Sequence, residues 1–551
     1  MFRSAGAIAL LGFAGAVLAR ADPAPAAPPR TPAEINAIVN APLPDDEAAM
    51  KAHVMFLASD AMRGREAGSP EYDIAAQYVA AQFYAAGLKP AGDDGGYLQR
   101  VPLLTYRAAN KGDLVLTGRG AAPLRLVFGE DYVPGANPAD AVMAIDAPVV
   151  FVGYGIVAPD YGRNDYAGVD VKGKIVAYLA GAPDSYQSEE RAHFAGGTTK
   201  AMLAQSRGAV GAILIQPRSL ARAAEGWDRA RVTWARPDGT GDAPGAPQLA
   251  TLSDAGAAKL FAGARTPWAS IAKKTGDSEA VFAAEQLPGS LAVSLKTAFQ
   301  PGASSNVAGI IPGSDPKAGD EVVILSAHLD HLGVRPELQG DTIFNGAEDN
   351  AVGIASLIEE AKRFKASGKA PRRSVMFLAV TAEEKGLIGS SYFAAHPTVP
   401  LERIVADVNL DMPVLNYKFE DMTVFGADRS SLGPIVSKAV GALGVAMSPD
   451  PMPREAFFVR SDHYNFVRRG IPSVFLWPGQ AGPGKAAFAD FYENRYHKPS
   501  DDMTQAIDWS QGIRFVGVNY AIAREIADGE ARPRWNKGDF FGTLYNGYGA
   551  K

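Results

Sequence analysis

The segment SVMFLAVTAEEKGLIGS (residues 374–390) passes from an unbroken apolar run straight into two adjacent glutamates, Glu383 and Glu384. Carboxylates are seldom buried without a partner, so a strand end that delivers two of them asks for a cation or for proton transfer. Candidates to meet them lie at the ends of other runs. EVVILSAHLDHLG closes on His328, Asp330 and His331, the loop NGAEDNAVG offers Asp349, IVADVNLDMP reaches Asp411, and NRYHKPSDD holds Tyr496 and His497.

Any one of the seven histidines (His53, His193, His328, His331, His396, His463, His497) says little by itself. Two imidazoles converging with three or four carboxylates say more. A nitrogen and oxygen donor set without thiolate suits zinc, with manganese or cobalt as alternatives. One zinc needs only three or so protein ligands. Five, with one carboxylate shared, suit two ions about 3.5–4 Å apart. Asp349, Glu384 and Asp411 would offset three of the four positive charges, and a bridging hydroxide the last. Asp330 follows His328 by two residues, so on one strand both side chains share a face. A carboxylate there is expected to accept the imidazole's second N–H and fix its tautomer.

Elements with alternating strand and helix character must carry these residues. From about Ser305, the runs EVVILSAH, SVMFLAV, IVADVNL and IPSVFLW predict strands. NAVGIASLIEEAKRF, Leu387–Ala395, SLGPIVSKAVGALG and a stretch around 510–527 predict helices. Strands that are apolar throughout belong in a sheet covered on both faces. The expected fold is α/β, a three-layer α/β/α sandwich with a mixed, mostly parallel sheet and a site at strand carboxyl ends. Residues 46–146 read as the N-terminal part of this domain and 276–551 as its main part. Between them, residues 147–275 change texture to strand and turn material with few candidate catalytic groups, and are expected to form an inserted, mainly β module.

At 551 residues, with 47% hydrophobic and 21% charged content, the chain is long enough for more than one domain and has the composition of a soluble globular protein. A formal charge of −6 gives no reason to expect nucleic acid as a partner. Residues 1–21, MFRSAGAIALLGFAGAVLARA, have the early arginine, apolar run and A-x-A end of an export signal. Its apolar run of about 15 residues is short of the roughly 20 needed to span a bilayer, so no stable membrane anchor is expected, and the protein is placed in the periplasm or outside the cell. Residues 22–45 form a Pro/Ala-rich leader. The absence of cysteine excludes disulfides, thiol nucleophiles and thiolate metal sites. No G-x-S-x-G elbow, H-E-x-x-H helix or phosphate-binding G-x-x-x-x-G-K-[ST] loop offers another route to hydrolysis.

In this order, SAHLDHLG, GAEDNAVG, TAEEKGLIGS, NLDMP, SDHYNF and RYHKPSDD resemble the di-zinc aminopeptidase and glutamate carboxypeptidase-like metallopeptidases. That family also includes glutaminyl cyclases and transferrin-receptor-like ectodomains. FLASDAMRGREAGSPEYDIAAQYVAAQF is similar to its N-terminal segment, and residues 147–275 resemble the protease-associated (PA) domain often inserted in its members. The resemblance implies two Zn2+ per chain, with Mn2+ or Co2+ as possible substitutes. One would be held by His328 and Asp411, the other by Glu384 and His497, with Asp349 bridging. It further implies Glu383 as general base, Asp330 as the partner of His328, and Tyr496 as an oxyanion donor.

Some positions depart from the family pattern or lie outside its ligand set. Glu348 stands where Asp or Asn is more usual and is expected to face away from the metals. His331 and His463 recur in the motifs but are not ligands there, and Arg65 is expected to form a buried ion pair.

The implied activity is aminopeptidase action on peptide substrates. A carboxypeptidase of the same fold would need a basic group for the terminal carboxylate, for which Arg454, Arg460 and Arg495 are candidates. A mono-zinc cyclase or a metal-free receptor-like ectodomain fits less well with a complete ligand set. The inserted module is expected to overhang the cleft and limit substrate size.

Overall fold

In the computed structural model, which describes residues 31–118, 120 and 122–551, four parallel strands form the centre of the larger sheet. They run in the order Ser473–Pro478, Ile404–Leu410, Val322–His328, Ser374–Val380. Every residue in them is buried, which is why the sequence shows no alternation there. The second half of a long strand, Glu285–Ile311, pairs antiparallel with Ser374–Val380, and Leu98–Ala108 and Arg231–Trp234 extend that side. Asp421–Phe425 pairs antiparallel with Ser473–Pro478 on the other side. The sheet is therefore mixed, with parallel pairing concentrated at its centre. The export signal expected at 1–21 lies outside the described residues, among which no helix is long and apolar enough to cross a membrane.

Strand residues alternate between two cores. Val323, Leu325, Val375 and Phe377 belong to the face covered by helices Asp45–Leu57, Pro70–Ala85, Val352–Ala366 and Trp509–Asp528. Ile324, Met376 and Leu378 belong to the other, where Phe393 and Phe466 descend from helices Ile388–Ala395 and His463–Val467. Local signals set the helix starts. Ser69 caps Tyr72 N–H ahead of Pro70, and Asp508 caps the Trp509–Asp528 helix, each satisfying amides the first turn leaves free.

After Val322–His328 the chain moves to one side to form Ser374–Val380, then returns to the other to form Ile404–Leu410. The carboxyl ends of these three strands thus flank a topological switch point, where α/β sheets open a crevice. His328, the Glu383–Glu384 pair and Asp411 leave the sheet at that crevice.

A second sheet contains Asp113–Thr117, Tyr132–Pro134, Val142–Phe151, Ile175–Leu179, Gly211–Ile215, Gln248–Leu252 and the first half of Glu285–Ile311. It has its own core of Phe151, Ile175, Ile213, Leu249, Leu291 and Val293. Its strands reach beyond the expected 147–275, because Ala147 falls in mid-strand, opposite Leu291. Arg231–Trp234, inside that range, instead joins the larger sheet. Helix Ser188–Ala195 of the second unit packs on Pro453–Glu455 and Phe457–Val459 of the first, and Arg429 bridges Glu189 and Asp539.

Candidate metal centre

Asp349 stands between two sets of donors, with one carboxylate oxygen toward each. Its Oδ1 lies 3.2 Å from His328 Nε2, which is also 3.1 Å from Asp411 Oδ1. Its Oδ2 lies 3.3 Å from His497 Nε2, which is 3.2 Å from Glu384 Oε2. The donor atoms of His328, Asp349 and Asp411 fall within 4.8 Å of one another, as do those of His331, Asp349 and Glu384. The five residues expected as ligands are brought together, and His331, which the sequence reading set aside, joins them. Its Nδ1 approaches Glu384 Oε1 to 2.7 Å but is not aligned as a hydrogen bond, and both ring nitrogens and Glu384 Oε1 are buried without a hydrogen bond among the described residues.

The backbone is strained where it presents these groups. Ala382, Met412 and His497 all have left-handed φ, at 54°, 46° and 56°. Non-glycine residues pay of the order of 1–3 kcal/mol each for such conformations, and these three stand beside or at Glu383, Asp411 and His497. Hydrogen bonds hold the rest. The Asp501 carboxylate accepts the amides of Glu348 and Asp349, both at 3.0 Å. Ser461 Oγ donates to Asp411 Oδ2 at 2.6 Å, leaving Oδ1 toward His328. Ser461 and Asp501 lie inside motifs legible in the sequence, yet nothing in their spacing indicates what they bond.

Two expectations are corrected. The Asp330 carboxylate does not accept the His328 imidazole N–H; His328 Nδ1 lies 3.1 Å from the Asp330 backbone carbonyl instead. The strand ends at His328, so the same-face rule no longer governs position 330. The Asp330 carboxylate accepts the amides of Glu383 and Glu384. Arg65 forms no ion pair among the described residues: its guanidinium donates to the backbone carbonyls of Leu57, Leu329, Asn345 and Gly346. As expected, Glu348 turns away, both its oxygens accepting Leu415 N–H, and His463 is buried against Phe458 and Phe475. Tyr496 stacks on His497 with ring centroids 3.8 Å apart.

The field of the cluster is strongly polarised. Burial opposes charge on His328, but Asp411 and Asp349 outweigh it and raise the imidazole well above its usual range. His497 is pushed up to about 10, with Glu384 and Asp349 overcoming its burial. Glu384 drops to about 2, because His331 and His497 outweigh burial and the Asp349 charge. Glu383 moves the other way: burial, then Asp411 and Glu384, push it well above the carboxylate range against the pull of His328. A field that draws protons onto imidazoles also favours dications in their place. With nitrogen and oxygen donors only, a shared carboxylate and buried atoms at His331 and Glu384 that make no hydrogen bond among the described residues, these residues fit zinc-like ions.

The cluster floors a pocket walled by Met412, Phe457, Phe475 and Trp477, with Glu383, Arg460 and Tyr496 also lining it. A larger cavity on the second sheet, lined by Asp170, Lys174, Arg265 and Glu285, holds no comparable convergence of donors.

The fold and the cluster define an α/β protein with a buried set of metal-ligand donors at the switch point of its sheet. Residues 306–522 match the model of Peptidase family M28. A probable leucine aminopeptidase 2 from Aspergillus oryzae (strain ATCC 42149 / RIB 40) is 29% identical over 247 residues, covering 42% of this chain and 46% of that protein. A probable zinc metalloprotease from Pyrenophora tritici-repentis (strain Pt-1C-BFP) is 30% identical over 302 residues, covering 48% of this chain and 63% of that protein. The chain thus spans about half the length of these curated relatives. The solved structure of an aminopeptidase from Aneurinibacillus sp. strain AM-1 covers 90% of this chain and 96% of its own, at 21% identity and a TM-score of 0.46.

Proposed function

We propose that the protein is a two-metal exopeptidase that removes N-terminal residues from peptides. His328 and Asp411 would hold one ion, Glu384 and His497 the other, and Asp349 would bridge. The observation that carries this reading is the division of Asp349, one oxygen facing His328 and the other His497. Zinc ions held there, or manganese or cobalt in their place, would polarise the scissile carbonyl and make water nucleophilic at neutral pH.

Glu383 lines the same pocket without belonging to either donor set. Its carboxylate would take a proton from the attacking water and return it to the leaving amine. A carboxyl whose proton affinity is raised by burial suits both steps. The Tyr496 phenol, held protonated by burial and by Asp349 and Glu384, would donate to the developing oxyanion. Met412, Phe457, Phe475 and Trp477 would receive an apolar side chain on the residue being released.

The test is cleavage of matched free and N-acetylated peptides, with chelator and with zinc restored. Chelator-sensitive cleavage of the free peptides alone is expected, and Glu383→Ala should abolish it while zinc content persists. Cleavage of both peptide sets, lost only on C-terminal amidation, would instead establish a carboxypeptidase. That second reading is favoured by Arg460, which lines the pocket, whereas Arg454 is exposed and Arg495 donates to Ser500 O.

Residues 1–21 would direct export, and the second-sheet unit would act as a protease-associated domain restricting access. Packing of Ser188–Ala195 on the segments around Phe457 supports the latter. Sequencing the N-terminus of exported protein should begin at Asp22; retention of Met1 would rule the signal out.

A further inference from the structure

The segment Asp60–Arg65 carries three successive left-handed residues, Arg63, Gly64 and Arg65, with φ of 45°, 70° and 45°. Gly64 is pressed against the larger sheet's loops: a Cβ there would lie 2.4 Å from Phe344 O and 2.6 Å from Gly333 O. This contortion drives the Arg65 side chain into the interior, where it is wholly buried. Nε donates to Leu329 O at 3.0 Å, Nη1 to Leu57 O at 2.7 Å and to Asn345 O, and Nη2 to Gly346 O at 3.1 Å. The Arg65 carbonyl in turn accepts His331 N–H, beside a parallel bridge between Glu66 and His331.

These acceptors are not scattered. Leu329 lies between His328 and Asp330, and Gly346 lies three residues before Asp349. A buried guanidinium normally meets a carboxylate. This one meets carbonyls of the two loops that carry the candidate ligands, while Asp330, Asp349, Glu384 and Asp501 face its charge from further off. It also lies outside the segment that the family model matches.

We propose that Arg65 is a positioning residue of the metal centre, whose planar fork ties the His328 loop to the Asp349 loop and so fixes the spacing of the two donor sets. This rests on the two-metal reading above. The fork is essential to it. Lysine keeps the charge but offers one nitrogen, which cannot reach carbonyls in three separate segments.

The test compares wild type with Arg65→Lys and Arg65→Met for zinc stoichiometry and affinity, by chelator competition at a temperature where each is fully folded. Both variants should lose at least ten-fold in zinc affinity, with lysine giving no rescue. Wild-type affinity in either folded variant would overturn the proposal, as would rescue by lysine, which would assign charge alone. If neither variant folds, hydrogen exchange on chelated wild-type protein decides: amides 329–331 and 345–350 should be protected before metal arrives, and free exchange would overturn the tie. Wild-type protein that binds no zinc, manganese or cobalt would remove the two-metal reading, and this inference with it.

Discussion

Asp330 holds Glu383 by the backbone: its Oδ1 accepts the Glu383 amide at 3.0 Å, and its Oδ2 accepts the neighbouring Glu384 amide at 3.3 Å. Two bonds from one buried carboxylate fix the peptide that carries both the proposed base and a proposed ligand. Hydrogen bonds to charged groups contribute about 1.5–3 kcal/mol each. Asp330→Asn presents an NH2 where an acceptor is needed and should lower kcat by about 10–100-fold; Asp330→Ala leaves two buried amides unpaired and should cost more. Steady-state kinetics with zinc content measured in parallel check this. Activity of the Asn variant within three-fold of wild type would mean that the clamp is unimportant.

That relationship also marks where the sequence stopped being legible. The apolar runs at 322–328, 374–380 and 404–410 read correctly as strands buried on both faces, and their ends as the place where donors gather. Asp330 was misread because the rule that places i and i+2 on one face needs a strand, and the strand ends two residues earlier. The limit at Ala147 failed for a related reason: a change of composition fell in the middle of Val142–Phe151, which pairing alone reveals. Arg65 acts 264 residues away from Leu329, through backbone atoms that no side-chain pattern encodes.

His331 and His497 compete for the same carboxylates, and their geometry separates their roles. His497 Nε2 lies within 3.3 Å of both Asp349 and Glu384, whereas His331 approaches Glu384 closely but stays 4.0 Å from Asp349. His497→Gln should therefore fall to one zinc per chain. His331→Gln should keep two, bound about 10–100-fold more weakly, the usual cost of losing a group that supports a ligand. Metal analysis after equilibration in limiting zinc tells them apart, and the reverse ranking would exchange the two assignments.

Lys200 gives a pH signature away from the metal centre. It is 1% exposed in the second unit, donates to Leu179 O and Gly181 O, and burial lowers its pKa to about 7. The neutral amine keeps two N–H groups for these two acceptors. Between about 7 and 10.5 the unfolded chain binds the extra proton, so stability rises with pH across that window. The slope reaches at most about 1.4 kcal/mol per pH unit. Denaturant midpoints from pH 7 to 9 should climb for wild type, and Lys200→Met should remove this part of the slope whatever it does to absolute stability. Parallel curves would show that Lys200 stays charged.

Arg460 is the basic side chain lining the pocket, stacked over Phe457 at 5.2 Å and bonded to Glu455 Oε2 at 3.0 Å. Those contacts occupy one face and one nitrogen, leaving donors for a carboxylate. If the enzyme cleaves from the N-terminus, only very short substrates bring their own carboxylate within reach. Arg460→Gln should then raise KM about ten-fold or more for a free dipeptide, the scale of one charge-assisted bond. The amidated dipeptide and longer peptides should be cleaved as before. If the enzyme cleaves from the C-terminus, every substrate depends on that anchor. The substitution should then depress kcat/KM for N-acetylated and free peptides of all lengths. The length dependence of this one variant therefore separates the two directions of attack without relying on blocked substrates alone.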